Sequence, residues 1–244
     1  MTLLVAMLGL WVGVAVHVAV LRLPRRQPVW RSFSRCVSCP GPLVSRDLIP
    51  LAPFVRWRGS CPTCSRPLGW RGPAIEVTVA TLYAIAWSAF GPSLRLVLAL
   101  VLVPVLVAAT AIDLEWQLLP DRLNLAAAVA GLPLAAWTYG SPWTPLAGAV
   151  LGGGILALLA AVVPGGLGGG DVKFAAAFGL YLGPAGTLVA LLAAFTAAGA
   201  AGAVLLLTGR KRPRDMIPFG PFLAMGAGVA LFAGQGPGGW PVAA

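Results

Sequence analysis

The segment LRLVLALVLVPVLVAATAID (residues 94–113) is a long apolar run that ends on an aspartate. About 20 mainly apolar residues are enough to cross the hydrocarbon core of a bilayer as a helix. Eight apolar runs, separated by glycine, proline or charged residues, follow one another along the chain. They cover residues 2–21, 74–90, 94–112, 123–139, 145–163, 174–182, 186–208 and 217–234. The sequence therefore predicts an all-α polytopic membrane protein with about eight transmembrane helices.

The overall composition supports a membrane protein. Of the 244 residues, 59% are hydrophobic and 10% are charged, whereas soluble domains average about 25% charged residues. A net charge of +10 would suggest nucleic acid as the partner of a soluble domain, but here the basic residues are not interleaved with a polar fold. We expect a lipid bilayer as partner and no nucleic acid.

The positions of the basic residues predict the orientation of the chain. Alternating crossings place residues 22–72, 113–122, 164–173 and 209–216 on one side, and these hold every Lys and Arg except Arg95. Such an excess of Lys and Arg marks cytoplasmic loops. We therefore predict a multi-pass protein of the inner (cytoplasmic) membrane with its N-terminus outside.

Two of the apolar runs are atypical. The first, 2–21, has its charges after it rather than before it, which favours an uncleaved helix over a cleavable signal peptide. The run 174–182 is too short, at about 1.5 Å per residue, to cover a core about 30 Å thick. We keep it as a crossing, either tilted or partly re-entrant, because otherwise the basic cluster at 210–214 would lie outside.

Two aspartates, Asp113 and Asp171, fall on the cytoplasmic face in this topology. Carboxylates about 4 Å apart repel by about 4 kcal/mol at an effective dielectric constant near 20, so we expect one of the two to hold a proton near neutral pH. The ionised acid can take a proton from water as it attacks a peptide carbonyl, while the protonated acid hydrogen-bonds the carbonyl oxygen. This pattern predicts aspartic peptidase chemistry. The alternative is that each is an ordinary helix-end residue, with Asp171 favoured by the helix dipole.

Asp171 follows a run of glycines. Glycines such as Gly168 and Gly170 allow close backbone approach and positive φ, which would leave room for an extended substrate. The Gly-x-x-x-x-Gly spacing from Gly165 to Gly170 resembles a nucleotide-binding loop, but Asp171 stands where that loop requires Lys and Ser or Thr. We interpret Lys173, two residues later, as an interfacial lysine that supports this segment.

Four cysteines form two Cys-x-x-Cys pairs in the first polar segment. Cys36 pairs with Cys39, and Cys61 with Cys64. Four thiolates so arranged predict a structural zinc ion in a cytoplasmic zinc-knuckle loop between the first two helices. Zinc would order a loop that is too small and polar to bury a core of its own. The alternative is four unpaired thiols in a disordered basic loop.

Three motifs resemble those of the type IV prepilin peptidases. They are IDLEWQLLPDRL (residues 112–123), GGGDVK (168–173) and IPFGPFLA (217–224), the last at the start of the family's final helix. The resemblance implies an intramembrane aspartic endopeptidase whose catalytic pair is Asp113 and Asp171. Its implied partners are prepilins of type IV pili or pseudopilins of type II secretion, cut after a short cytoplasmic leader.

The cysteine segment resembles that of the bifunctional members of this family. These also methylate the new N-terminus with S-adenosylmethionine, which implies Glu76 as a methyltransferase residue. The chain departs from the family pattern at two positions. The first is His17, where the family usually has Asn and where we expect an interfacial hydrogen-bonding group. The second is Gly72, in the segment before Glu76, where the family usually has Tyr-Pro. The predicted regions are a first transmembrane helix (1–21), a tetracysteine methyltransferase segment (22–72), a peptidase core (73–235) and a C-terminal tail (236–244).

Three alternatives remain open at this stage. The first is a peptidase without methyltransferase activity. The second is a proton-coupled transporter that uses the two aspartates, which predicts acids in mid-membrane. The third is a zinc-stabilised scaffold without chemistry, which would tolerate Asp113→Asn.

Overall fold

The computed structural model describes residues 1–27, 49–51, 59–60, 69–163, 167–209 and 217–234. All regular elements in these residues are α-helices, which confirms the all-α prediction. The seven helices are α1 (Thr2–Arg22), α2 (Arg71–Phe90), α3 (Leu94–Trp116), α4 (Asp121–Tyr139), α5 (Trp143–Val162), α6 (Gly169–Leu207) and α7 (Gly220–Ala233).

Five of these helices are long and apolar enough to cross a membrane, by the length and hydropathy of the described residues: α1, α2, α3, α5 and α6. Helix α7 is apolar but has only 14 residues. The prediction of a multi-pass membrane protein is therefore confirmed, and the count of eight crossings stays a prediction.

Helix α6 contains a break at Gly183. This residue has φ 65° and ψ 180°, outside the helical region, and Pro184 follows it. Proline has no N–H to donate, so a break is expected here. The break lies between the predicted runs 174–182 and 186–208. The first half, however, already begins at Gly169, so the prediction that residues up to 173 form a loop was wrong. Gly168 is the N-cap and Asp171 lies in the first turn.

The chain forms two compact units, and the first comprises Met1–Ile112. In this unit α1 packs closely along α2. A Cβ at Gly13 would lie 2.6 Å from Glu76 Cα, and one at Gly9 would lie 2.7 Å from Ala80 Cα. Small residues permit such close helix contacts in membranes. Tyr83 on α2 donates a hydrogen bond to the carbonyl oxygen of Leu100 on α3.

The second unit comprises Asp113–Ala244 and includes the last turn of α3 and helices α4–α7. The first half of α6 packs firmly here, with Phe174 and Phe178 buried in edge-to-face contact. Tyr181 donates a hydrogen bond of 2.7 Å to the carbonyl oxygen of Ala127, which joins α6 to α4. These contacts fix the helix that carries Asp171.

Candidate active site

Asp113 lies in the last turn of α3 and is only 6% exposed. Its Oδ2 accepts a hydrogen bond of 2.8 Å from the backbone N–H of Gly220, the first residue of α7. The first N–H groups of a helix have no acceptor within the helix and favour a negative charge. A Cβ at Gly220 would lie 2.7 Å from Asp113 Oδ2, so the contact depends on glycine. The sequence motif 217–224 includes Gly220, but sequence reasoning missed its partner.

Asp171 is the third residue of α6 and is partly buried. Its Oδ2 accepts a hydrogen bond of 3.2 Å from the N–H of Gly168. Each aspartate thus uses one carboxylate oxygen for a backbone bond. Among the described residues, Oδ1 of Asp113 and Oδ1 of Asp171 have no hydrogen-bond partner. One oxygen of each acid is therefore available to water or substrate.

The two acids lie close enough for their charges to interact. Both belong to the second unit, and both lie at helix ends, Asp113 in the last turn of α3 and Asp171 in the first turn of α6. The alternative of a proton-coupled transporter predicts acids in mid-membrane.

The glycines before Asp171 have a different role from the one expected. Gly168 has extended backbone, with φ −77° and ψ 143°, so the expectation of positive φ was wrong at this position. Gly170 is needed because the backbone at Leu119 approaches it closely. A Cβ at residue 170 would lie 3.0 Å from Leu119 Cβ and 3.1 Å from the Leu119 carbonyl oxygen. The connection between α3 and α4 therefore packs against the start of α6.

Asn124 is a buried polar residue that sequence reasoning missed. It lies on α4, is 5% exposed, and its Nδ2 donates to the carbonyl oxygen of Gly170 at 3.4 Å. Its Oδ1 is buried and has no hydrogen-bond partner within the described part of the chain. The signal was present in the sequence as the single amide in the apolar run 123–139.

Lys173 and Asp121 form an ion pair, with Nζ and Oδ1 2.7 Å apart. Both side chains are exposed, and exposed pairs contribute about 0.2–1 kcal/mol. The pair joins the first residue of α4 to the first half of α6. Lys173 thus has a partner that its interpretation as an interfacial lysine did not include.

Comparisons with known proteins agree with this site. A family model described as the type IV leader peptidase family matches residues 100–204, and one described as the bacterial peptidase A24 N-terminal domain matches residues 7–90. The chain is 34% identical to a prepilin leader peptidase/N-methyltransferase of Bacillus subtilis, over 93% of this chain and 92% of the relative.

The chain belongs to the type IV leader peptidase family. Two further relatives with the same descriptive name are similar to it. One, from Burkholderia pseudomallei, is 36% identical over 87% of this chain and 71% of its own length. The other, from Aeromonas hydrophila, is 31% identical over 94% of this chain and 88% of its own length. No solved structure matches the chain.

The match to the family's N-terminal domain covers α1 and α2, which carry Glu76 and His17. Glu76 is fully buried, and its Oε2 accepts a hydrogen bond of 2.7 Å from the N–H of Leu51. A buried carboxylate on α2 thus holds a residue that lies between the two cysteine pairs. Glu76 belongs to the first unit, and the two aspartates belong to the second.

His17 is also buried within the protein, with 6% exposure, and its expected position at the membrane interface stays a prediction. A Cβ at Gly72 would lie 2.5 Å from Cε1 and 2.7 Å from Nδ1 of the imidazole. The imidazole therefore occupies space that a larger residue at 72 would need. The two departures from the family pattern, His17 and Gly72, are in contact with each other.

The predicted zinc ligands Cys36, Cys39, Cys61 and Cys64 lie outside the described residues. Within the described residues there is no cluster of three or more potential metal ligands. The zinc-knuckle loop stays a prediction.

Proposed function

We propose that this protein is an intramembrane aspartic endopeptidase. It removes the short leader from prepilin or pseudopilin precursors at the cytoplasmic face of the inner membrane, and then methylates the new N-terminus. The proposal is supported by relatives named prepilin leader peptidase/N-methyltransferase, matched over 92% of the length of one of them. The single observation that carries it is the proximity of Asp113 and Asp171, each held by a backbone N–H.

Asp113 and Asp171 act together on one water molecule. The ionised acid takes a proton from the water as its oxygen attacks the carbonyl carbon of the bond after the leader. The protonated acid donates a hydrogen bond to the carbonyl oxygen, where negative charge develops. The tetrahedral intermediate then collapses with cleavage of the C–N bond, and the leaving amine receives the proton that the general base took from the water. The N–H groups of Gly168 and Gly220 hold the Oδ2 atoms, so both acids are oriented before substrate binds.

Gly170 supports the site because it lets the α3–α4 connection approach α6 closely, and Gly168 supports it by donating its N–H to Asp171 Oδ2. Lys173 holds the start of α4 through Asp121. The break at Gly183 divides α6 into two segments. If the two segments of α6 are counted separately, the seven helices provide eight membrane segments. This count fits the proposed topology, in which the N-terminus lies outside.

The region 22–72 is the proposed methyltransferase segment, and the peptidase core covers 73–235. Cys36, Cys39, Cys61 and Cys64 would hold a structural zinc ion, since four thiolates suit tetrahedral zinc. S-adenosylmethionine, when bound, supplies the methyl group. Glu76 would orient the α-amine of the cleaved substrate and receive its proton. Metal analysis tests the zinc site: Cys61→Ser is expected to lower the bound zinc, and unchanged zinc would contradict the site.

Co-expression with a precursor tests the peptidase. Asp113→Asn and Asp171→Asn are each expected to abolish leader removal, because the one remaining carboxyl group cannot act as the ionised base and as the protonated acid at the same time. The measurement is the gel shift of the precursor. Glu115→Gln is the matched control, since it removes an exposed acid from the same turn of α3 and is expected to leave cleavage intact. Leader removal by both Asn variants would contradict the proposal.

A further inference from the structure

Asn124 lies in the first turn of α4 and contacts the start of α6. Its Nδ2 donates a hydrogen bond of 3.4 Å to the carbonyl oxygen of Gly170, the residue directly before Asp171. The side chain of Asn124 is only 5% exposed. A buried amide on one helix thus reaches the backbone next to a proposed catalytic acid on another.

The bond to Gly170 bears directly on Asp171. A peptide unit is planar, so the carbonyl oxygen of Gly170 lies in one rigid plane with the nitrogen and Cα of Asp171. Fixing this oxygen restricts the rotation of the plane, and with it the direction in which the Asp171 side chain leaves the backbone. The N–H of the same plane donates to the carbonyl oxygen of Gly168 at 3.0 Å. Both polar groups of the peptide before Asp171 are therefore held.

Leu119 restricts the same peptide by packing. A Cβ at Gly170 would lie 3.0 Å from Leu119 Cβ, and Leu119 is itself only 5% exposed. The turn that carries Asp171 is closed by the N–H of Gly168, which donates to Asp171 Oδ2. Packing and hydrogen bonding together leave this turn little freedom to shift.

The other half of the amide indicates that packing alone does not explain an asparagine at position 124. Its Oδ1 is buried and has no hydrogen-bond partner among the residues that the structure describes. A buried acceptor without a donor destabilises a fold, and an apolar side chain of the same size would avoid this cost. The carbonyl oxygen of Gly170 does not require the amide either, because such an oxygen in a helix accepts the N–H four residues later. A polar residue that is unfavourable for folding indicates a role in function.

We propose that Asn124 is a positioning residue for cleavage, and that its amide holds the Gly170 peptide so that the Asp171 carboxylate keeps its reactive orientation. The inference rests on the proposed function, because Asp171 is one acid of the proposed catalytic pair. Asn124 acts through the backbone, so its loss affects the catalytic step rather than the binding of the precursor. Misplacing a catalytic group by about 1 Å can lower a rate about 100-fold.

Asn124→Leu tests this role, because leucine has a similar size and no amide. In vesicles, kcat for leader removal is expected to fall about 10- to 100-fold, while KM for the precursor changes by less than about twofold. The unfolding temperature in detergent is expected to stay the same or rise, because the buried acceptor is gone. Asn124→Ala removes the same amide without added bulk and is expected to show the same fall in kcat. An unchanged kcat in both variants, or a fall confined to Asn124→Leu, would overturn the proposal.

Tyr181→Phe is the matched control. It also removes one hydrogen bond between α4 and α6, since Tyr181 donates to the carbonyl oxygen of Ala127 at 2.7 Å. Tyr181 lies about 15 Å along the helix from Asp171, at about 1.5 Å per residue. We expect a lower unfolding temperature, because this hydroxyl has a partner to lose, and a kcat close to that of the unmodified protein. An equal fall of kcat in Tyr181→Phe would overturn the proposal, since any weakened contact between the two helices would then suffice.

Hydrogen–deuterium exchange tests the route through the backbone. Mass spectrometry of a peptide that covers residues 168–174 is expected to show faster uptake in Asn124→Leu, because a less constrained turn opens more often. The N–H groups of Gly168 and Asp171 are the expected sites. Tyr181→Phe is expected to leave the uptake of this peptide unchanged. A fall in kcat without faster exchange would overturn the positioning role.

The failure of this inference and the failure of the proposed function give different results. If Asp113→Asn and Asp171→Asn abolish leader removal while Asn124→Leu cleaves at the normal rate, only the role of Asn124 is overturned. Leader removal by both Asp→Asn variants would instead contradict the peptidase itself.

Discussion

At the scale of single residues, the orientation of Asp113 depends on a residue 107 positions away in the sequence. The N–H of Gly220 donates to Asp113 Oδ2, and no side chain fits between them. A charge-assisted hydrogen bond of this kind is about twice as strong as a neutral one. Gly220 therefore acts as a positioning residue for the acid.

Gly220→Ala tests this role. The added Cβ would lie 2.7 Å from Asp113 Oδ2, so the carboxylate must move away from the α7 backbone. We expect cleavage of the precursor to fall at least 100-fold, while the free energy of unfolding changes by about 1–3 kcal/mol, as for other overpacked sites. Leader removal and thermal unfolding in detergent measure the two effects.

Gly228→Ala is the control for this experiment. Gly228 lies on the same helix, and a Cβ there has no neighbour within 4 Å. Its cleavage rate should match the unmodified protein. An equally active Gly220→Ala would show that Asp113 does not need this contact.

At the scale of helices, the break in α6 separates the half that carries Asp171 from the half that ends at Leu207. Gly183 has φ 65° and ψ 180°, a region that is essentially restricted to glycine. Tyr139 on α4 donates a hydrogen bond of 2.9 Å to the carbonyl oxygen of Tyr181, two residues before the break. The end of the first half is thus fixed by α4.

Gly183→Ala is expected to lower the free energy of unfolding by about 1–3 kcal/mol, the usual cost of a residue held in a sparsely populated backbone region. Its Cβ would also lie 3.3 Å from Thr144 Cγ2. Thermal unfolding of the purified protein in detergent measures the change. Gly154→Ala in α5 is the control, because its Cβ meets no neighbour within 4 Å and alanine favours a helix by about 0.5–1 kcal/mol over glycine. A Gly183→Ala protein as stable as Gly154→Ala would argue against strain at the break.

At the scale of the whole molecule, the chain places Glu76 in one compact unit and the two aspartates in the other. Glu76 is buried and holds Leu51 of the segment between the cysteine pairs. The proposed methylation and cleavage therefore depend on different buried acids. This separation predicts that one activity can be removed without the other.

Glu76→Gln keeps the size of the side chain but removes the negative charge. We expect it to retain leader removal and to lose methylation of the new N-terminus. Mass spectrometry of the mature N-terminus measures both, since the methylated and unmethylated products differ by one methyl group. Asp171→Asn is the comparison and should yield neither product. Full methylation by Glu76→Gln would exclude its carboxylate from methyl transfer.

The amino-acid sequence alone determined the class of the protein. Long apolar runs must bury their backbone polar groups as helices in a membrane, so the all-α, multi-pass prediction needed no contact information. The motifs around Asp113 and Asp171 were recognisable because they are local stretches of sequence. The same holds for the break near residue 183, where Gly183 and Pro184 interrupt the apolar pattern.

Only the tertiary structure showed the partners of these residues. The contact of Asp113 with Gly220, of Asn124 with Gly170, and of His17 with Gly72 joins positions far apart in the chain. Hydrophobic periodicity reports which residues face lipid or core, but it carries no information on which helices pack together. The same reason explains a cavity between α4, α5 and the first half of α6, since three helices form it and no single stretch of sequence encodes its shape.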